Sequence, residues 1–211
     1  MPDLVLANDH CRAAFAARGA ALTSLAVPAT GLEYVWAADP AVWGRHAPVL
    51  FPIVGRLPDD TYLHQGRPYR LGQHGFARDA EFAVLRHTAD ELAFCLADSA
   101  ETRAAYPFAF ELTITYTLCA ATLAVRWEVR NPAGAPGDLL FSIGAHPAFR
   151  CPLQPVGERF EDYYFEFDHA VTLDRHLLRG GLRTGETASV LRQQTTLPLT
   201  HELFADDALV F

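Results

Sequence analysis

The chain has 211 residues, a formal net charge of −8 and hydrophobic residues at half of its positions. All seventeen cationic residues are arginine; without lysine there is no Schiff base, no pyridoxal phosphate anchor and no Walker-type phosphate loop. The acidic balance, free of basic runs, argues against nucleic acid and anionic membrane surfaces as partners. Met1-Pro2-Asp3 has neither the positive start nor the apolar stretch of a secretory signal, and no apolar run is long enough to cross a bilayer. Cys11, Cys95, Cys119 and Cys151 form no CxxC pair. A reduced, cytoplasmic protein is expected, with Cys95 and Cys119 as small buried hydrophobes within strands.

The first clear element is the apolar run 48–54, which ends at Gly55-Arg56. Tyr62-Leu63 and Pro68-Tyr69 flank Gln65-Gly66 and predict a hairpin. The loop Gln73-His74-Gly75-Phe76-Ala77-Arg78 follows, in which Gly75 frees the backbone after His74. Leu92, Phe94 and Leu96 mark a strand, and residues 98–101 resemble a capping box that opens a short helix closed before Pro107. From Phe108 to Leu118 large apolar residues alternate with Glu111, Thr113, Thr115 and Thr117. Leu123, Val125, Trp127 and Val129 alternate with Thr122, Arg126, Glu128 and Arg130, joined to the first run by a hairpin at residues 119–122. Such alternation means antiparallel strands buried on one face. A turn-rich connector at 131–138 leads into a second histidine loop at 141–149, where Pro147 follows His146. The chain closes on an apolar, strand-like run at 208–211. No repeat or linker divides it, so 1–211 is expected to be a single all-β domain of antiparallel strands packed as two sheets.

Two imidazoles at strand ends, each beside a residue that constrains the backbone, suit acid–base or hydrogen-bonding work on a small polar ligand. Arg56 either offers its donors to such a ligand or pairs with Asp59 or Asp60. Arg78 either binds an anionic group or forms a surface ion pair with Asp79. His64, His74 and His87 lie near enough in sequence to be weighed as a zinc site, but their spacing does not support one; no metal or cofactor is expected. Trp36, Trp43, Trp127, Phe149 and Tyr163 read mainly as core, with stacking on a sugar as the alternative for an aromatic near the cleft.

The ordered motifs around Arg56, His74 and His146 resemble those of the aldose 1-epimerase (galactose mutarotase) family, in particular its bacterial mutarotase-like branch. The resemblance covers nearly the whole chain. It implies a large antiparallel β-sandwich with a sugar site in a cleft on one sheet, and a sugar or sugar phosphate as the ligand. His146 matches the family's general acid to the ring oxygen, His74 its second, sugar-binding histidine, and Arg56 its arginine for sugar hydroxyls. Arg78 lies near an arginine that binds phosphate in the hexose 6-phosphate branch. Asp207 matches an aspartate that holds sugar hydroxyls, or is a turn residue, with Asp206 beside it leaving the register open. Family members continue several strands further and carry there the glutamate that serves as base. The sandwich is therefore expected to be incomplete at its C-terminal end, and the alternative to catalysis is a sugar-binding or sugar-sensing domain.

Overall fold

The fold is carried by pairs of strands whose apolar faces meet. The computed structural model describes residues 4–211 except 133, 135, 136, 155 and 206, so Met1-Pro2-Asp3, three residues of the 131–138 connector and Asp206 lie outside the described residues. The chain groups into two units, Met1–Arg150 and Cys151–Phe211.

In the first unit, β1 (Val5–Ala7), β2 (Arg12–Ala16), β3 (Ala21–Val27) and β4 (Leu32–Glu33) form an antiparallel sheet in that order. The two-residue strand β5 (Val49–Leu50) follows, then the hairpin of β6 (Thr61–His64) and β7 (Arg67–Arg70) at the predicted Gln65-Gly66 turn. A second sheet is built from β8 (Ala83–His87), β9 (Glu91–Ala97), β10 (Glu111–Cys119) and β11 (Thr122–Arg130), again all antiparallel. Helix α1 (Ala100–Ala105) lies between β9 and β10. Its N-cap is Ser99, with Thr102 as the reciprocal partner, so the expected capping box exists one residue beyond Glu101. Strand β12 (Gly144–Ala145) returns to pair with β5.

The alternation along β10 is realised: Leu112, Ile114, Tyr116 and Leu118 are buried, and the threonines between them are less so. These residues meet Leu6, Phe15 and Leu22 of the first sheet in one core, the sheet-on-sheet arrangement of a sandwich. The Phe15 and Tyr116 rings lie 4.5 Å apart, and Tyr116 donates its hydroxyl proton to the Ala20 carbonyl at 2.8 Å. Ile114 is wholly buried; Ile114→Val is expected to cost about 1 kcal/mol, read as a shift of the urea midpoint at constant slope.

Three expectations are corrected here. Trp127 is 39% exposed, because β11 is the edge strand of its sheet. Cys119 is exposed at the hairpin tip and Cys95 only half-buried, since each falls where its strand's inward face ends or turns outward. The run 208–211 is not a strand; only Val210 forms a bridge, to His176.

The second unit is dominated by an antiparallel ribbon of β13 (Tyr164–Arg179) and β14 (Leu182–Pro198), turning at Gly180-Gly181. Leu191, Leu197 and Leu199 are its most buried apolar residues, and a 3-10 turn, His201–Phe204, follows. Among the described residues, no helix is long and apolar enough to cross a membrane.

Candidate functional site

Residues 46–56 form a spine from which both histidines are positioned. On one side the β5·β12 pair is extended by main-chain hydrogen bonds: Ser142 N to Pro52 O at 2.9 Å, His146 N to Pro48 O at 3.0 Å and Ala148 N to His46 O at 2.8 Å. On the other side the Phe51 carbonyl accepts from the amides of Phe76 and Ala77, each at 3.1 Å, and Phe51 bridges to Gly75. His74 and Gly75 both take left-handed backbone conformations, at φ 66° and 69°. That double reversal turns the His74 ring back toward the spine. Gly55 then holds it twice, its carbonyl accepting from His74 N at 2.8 Å and its N–H donating to His74 Nδ1 at 3.0 Å.

The second bond settles the proton inventory. Nδ1 accepts, so the neutral ring carries its proton on Nε2. Burial first, then the charges of Arg78, His146 and Arg45, hold His74 below the ordinary value of 6.5. His74 is thus a neutral N–H donor. Between that depressed value and 6.5 the unfolded chain binds more protons than the folded one, so stability falls as the pH drops through this window. The imidazole resonances of His74 are expected to titrate below those of the exposed histidines; a normal or raised midpoint overturns the assignment.

The His74 and His146 rings lie 6.1 Å apart at 65°. His146 is exposed, and Trp43 packs against it with ring centroids 5.0 Å apart. The ring nitrogens of His146 have no hydrogen-bond partner among the described residues, which leaves them open to hydrogen-bond a ligand.

Of the expected arginines, Arg56 follows Gly55 directly and its Nε meets Asp60 Oδ1 at 3.2 Å, both side chains partly exposed. A pair of this kind is worth about 1 kcal/mol or less and does not bar a ligand. Arg78 lies under the His74 loop and donates from Nη2 to the Gln73 carbonyl at 2.7 Å. Its Nε stands 3.6 Å from Asp79 Oδ2. Asp79 is gripped more closely by Arg45, at 3.1 and 3.3 Å from its two oxygens, and Arg18 reaches it at 3.4 Å. Burial raises the Asp79 pKa, but the Arg45 hydrogen bond and the charges of Arg45, Arg78 and Arg18 outweigh it and leave the carboxylate below its usual range. Trp43, Arg45 and Arg78 also line an open groove of about 480 Å³.

Asp207 belongs to the second unit. It has φ 93° and accepts at Oδ1 from the amide of Ala208 at 2.7 Å, the behaviour of a turn residue. His64 packs on Phe108 and His87 Nε2 lies 2.9 Å from Val5 O. Among the described residues no group of three metal-ligating side chains converges. Arg18, Arg45, Asp79 and the placement of Trp43 beside His146 were not read from the sequence as site features. Only the Arg78-Asp79 adjacency hinted at them.

A sequence model of the aldose 1-epimerase family matches residues 2–203. The chain is 35% identical over 212 residues to the chromosomal LacX protein of Lactococcus lactis subsp. lactis, spanning 97% of this chain and 70% of that protein. Among solved structures it is similar to a galactose mutarotase related enzyme from Lactobacillus acidophilus, with a TM-score of 0.92 and 39% identity over 98% of this chain and 68% of that one. A galactose mutarotase-like protein from Lactobacillus casei gives a TM-score of 0.86 and 33% identity, over 97% and 70% of the two chains.

Proposed function

Because this chain belongs to the aldose 1-epimerase family, we propose that it interconverts the α and β anomers of an aldose by acid–base ring opening. The observation that carries this reading is the pairing of two imidazoles with different proton inventories: His74 locked as an Nε2–H donor, His146 facing it with unengaged nitrogens. In ring opening a base removes the C1 hydroxyl proton, the C1=O double bond forms, the bond from C1 to the ring oxygen breaks, and an acid protonates that oxygen. Rotation about C1–C2 and the reverse transfers close the ring on the other face. His146 serves as the acid to the ring oxygen. His74 donates a hydrogen bond to a sugar oxygen without giving up its proton, and Arg56 offers its fork to hydroxyls. The reaction already proceeds in water, so solvent can take the C1 hydroxyl proton while these positioned donors act on the ring oxygen and the hydroxyls.

The base is assigned to neither Asp60 nor Asp79. Asp60 is paired with Arg56, and Asp79, held below the usual carboxylate range by its arginines, is a poor proton acceptor. Glu158, in the second unit, accepts from Tyr163 and Gln154. This engagement favours a second reading, a carbohydrate-binding domain that keeps the cleft without the chemistry. Magnetisation-transfer NMR of anomer exchange with glucose, galactose and glucose 6-phosphate separates the two. Faster exchange with protein present supports the epimerase; sugar binding with unchanged exchange supports the binding domain and overturns the first.

A further inference from the structure

We propose that strand β11 is an interface: it pairs antiparallel with β11 of a second copy of this chain, giving a twofold dimer with one continuous sheet. The inference does not depend on the sugar chemistry proposed above.

The sheet edges supply the first ground. A free edge is a row of unpaired N–H and C=O groups, which proteins blunt with short strands, bulges or proline. The other edges of the two four-stranded sheets are blunted in this way. Strands β1 and β4 have three and two residues. Strand β8 has five, with a register shift between Val84 and Arg86. Strand β11 has none of these protections. Its nine residues contain no proline and pair with β10 without a register shift. Among the described residues it has no second strand neighbour. Its apolar face is also unfinished: Leu123, Val125 and Val129 are only partly buried against the core, and Trp127 is 39% exposed.

The charge pattern is the second ground, and it selects the partner. On the solvent face Arg126 and Arg130 both meet Glu128 of their own strand at 2.6 Å, and Glu111 of β10 stands opposite Arg130. Two arginines and two glutamates leave this patch without net charge, so a second copy can approach it.

Register is the third. Ala120-Ala121 is a two-residue loop closed by the Cys119–Thr122 pair. In such a hairpin the closing residues turn their N–H and C=O groups toward each other, as does every second residue beyond them. Leu123, Val125, Trp127 and Val129 therefore turn theirs to the free edge. With a twofold axis at Trp127, Arg126 faces the partner's Glu128, and symmetry repeats the pair. Val125 faces the partner's Val129, and the two indoles meet at the axis. Shifting the axis one residue either way sets Arg126 against the partner's Arg126, or Glu128 against the partner's Glu128. The Trp127 register thus matches charges where its neighbours oppose them.

The test is sedimentation equilibrium of the full chain over a range of concentrations at low salt, with hydrogen exchange read on the same samples. A reversible monomer–dimer equilibrium is expected. The amides of Val125, Trp127 and Val129 should slow as concentration rises, while those of Ala124, Arg126 and Glu128, already bonded to β10, should not change. Arg126→Glu and Glu128→Arg each set like charges across the axis and are expected to weaken association about tenfold or more. Mixing the two single variants, or combining both substitutions in one chain, sets unlike charges opposite again and is expected to restore the dimer. The two side chains are 76% and 31% exposed, so the fold should hold, and exchange in the unaltered chain reads the pairing even if a variant fails to fold. A monomer at every concentration, association indifferent to both single variants, or single variants that the mixture fails to rescue each overturns the pairing. A monomer whose Val125, Trp127 and Val129 amides are already protected means that another segment covers the edge, and overturns it as well.

Discussion

Replacing His146 with alanine is expected to slow protein-dependent anomer exchange by about 10²–10⁴-fold, the range a positioned general acid contributes. The loss should fall on kcat, because in the proposed mechanism the imidazole acts on the ring oxygen only as the bond from C1 breaks. The fold should survive, since His146 is held in place through its main-chain N–H to Pro48 O and its ring is exposed. His74→Ala provides the contrast. A neutral donor that keeps its proton contributes binding more than proton transfer, so this variant should raise KM and lose less in kcat. Equal losses in both variants, or a His146→Ala enzyme of undiminished kcat, remove the division of labour between the two rings.

Gly75→Ala is the substitution expected to harm the fold most for the fewest added atoms. The residue sits at φ +69°, and a Cβ there lands on the Phe51 carbonyl oxygen, 2.6 Å from Phe51 C and 2.7 Å from Pro52 Cδ. The neighbours are backbone and a proline ring, so they have little freedom to retreat. Left-handed strain and overpacking together are expected to cost about 2–4 kcal/mol, measured as the change in unfolding free energy in urea. Because the Phe51 carbonyl also receives the amides of Phe76 and Ala77, the same variant should disturb the bond from Gly55 N to His74 Nδ1. A loss below about 0.5 kcal/mol would show that the approach of the two segments is looser than described.

How much of this was legible depended on how strongly each segment's environment marks its sequence. Strand β10, buried on one face, announced itself by alternation, β9 by Leu92, Phe94 and Leu96, and the turns at Gln65-Gly66 and 119–122 by their residues. The β13–β14 ribbon went unread. Much of it is exposed on both faces, so its arginines, threonines and glutamines carry no period-two signal. At the site, His74, His146 and Arg56 were legible because each belongs to a local motif. Trp43, Arg45 and Arg18 belong to none. Arg45 and Arg18 meet Asp79, and Trp43 meets His146, only because the residues after β2, the 43–48 segment, the 77–79 turn and the second histidine loop are brought together in the fold, and such convergence leaves no trace in local spacing. Trp127 shows the opposite failure: a clean alternation cannot tell an edge strand from a central one.

The spine at 46–56 has a consequence for how this protein can change over generations. Phe51 is wholly buried in the core and holds the His74 loop through its carbonyl. Four residues later Gly55 fixes which nitrogen of His74 carries the proton, and the next residue is Arg56. Core and chemistry thus share a single stretch of backbone. A change in core volume around Phe51 is transmitted to the His74 loop through the same backbone, and in the mechanism proposed above placement at the scale of an ångström governs rate. Substitutions around Phe51 are then expected to disturb the placement of His74 as well as stability.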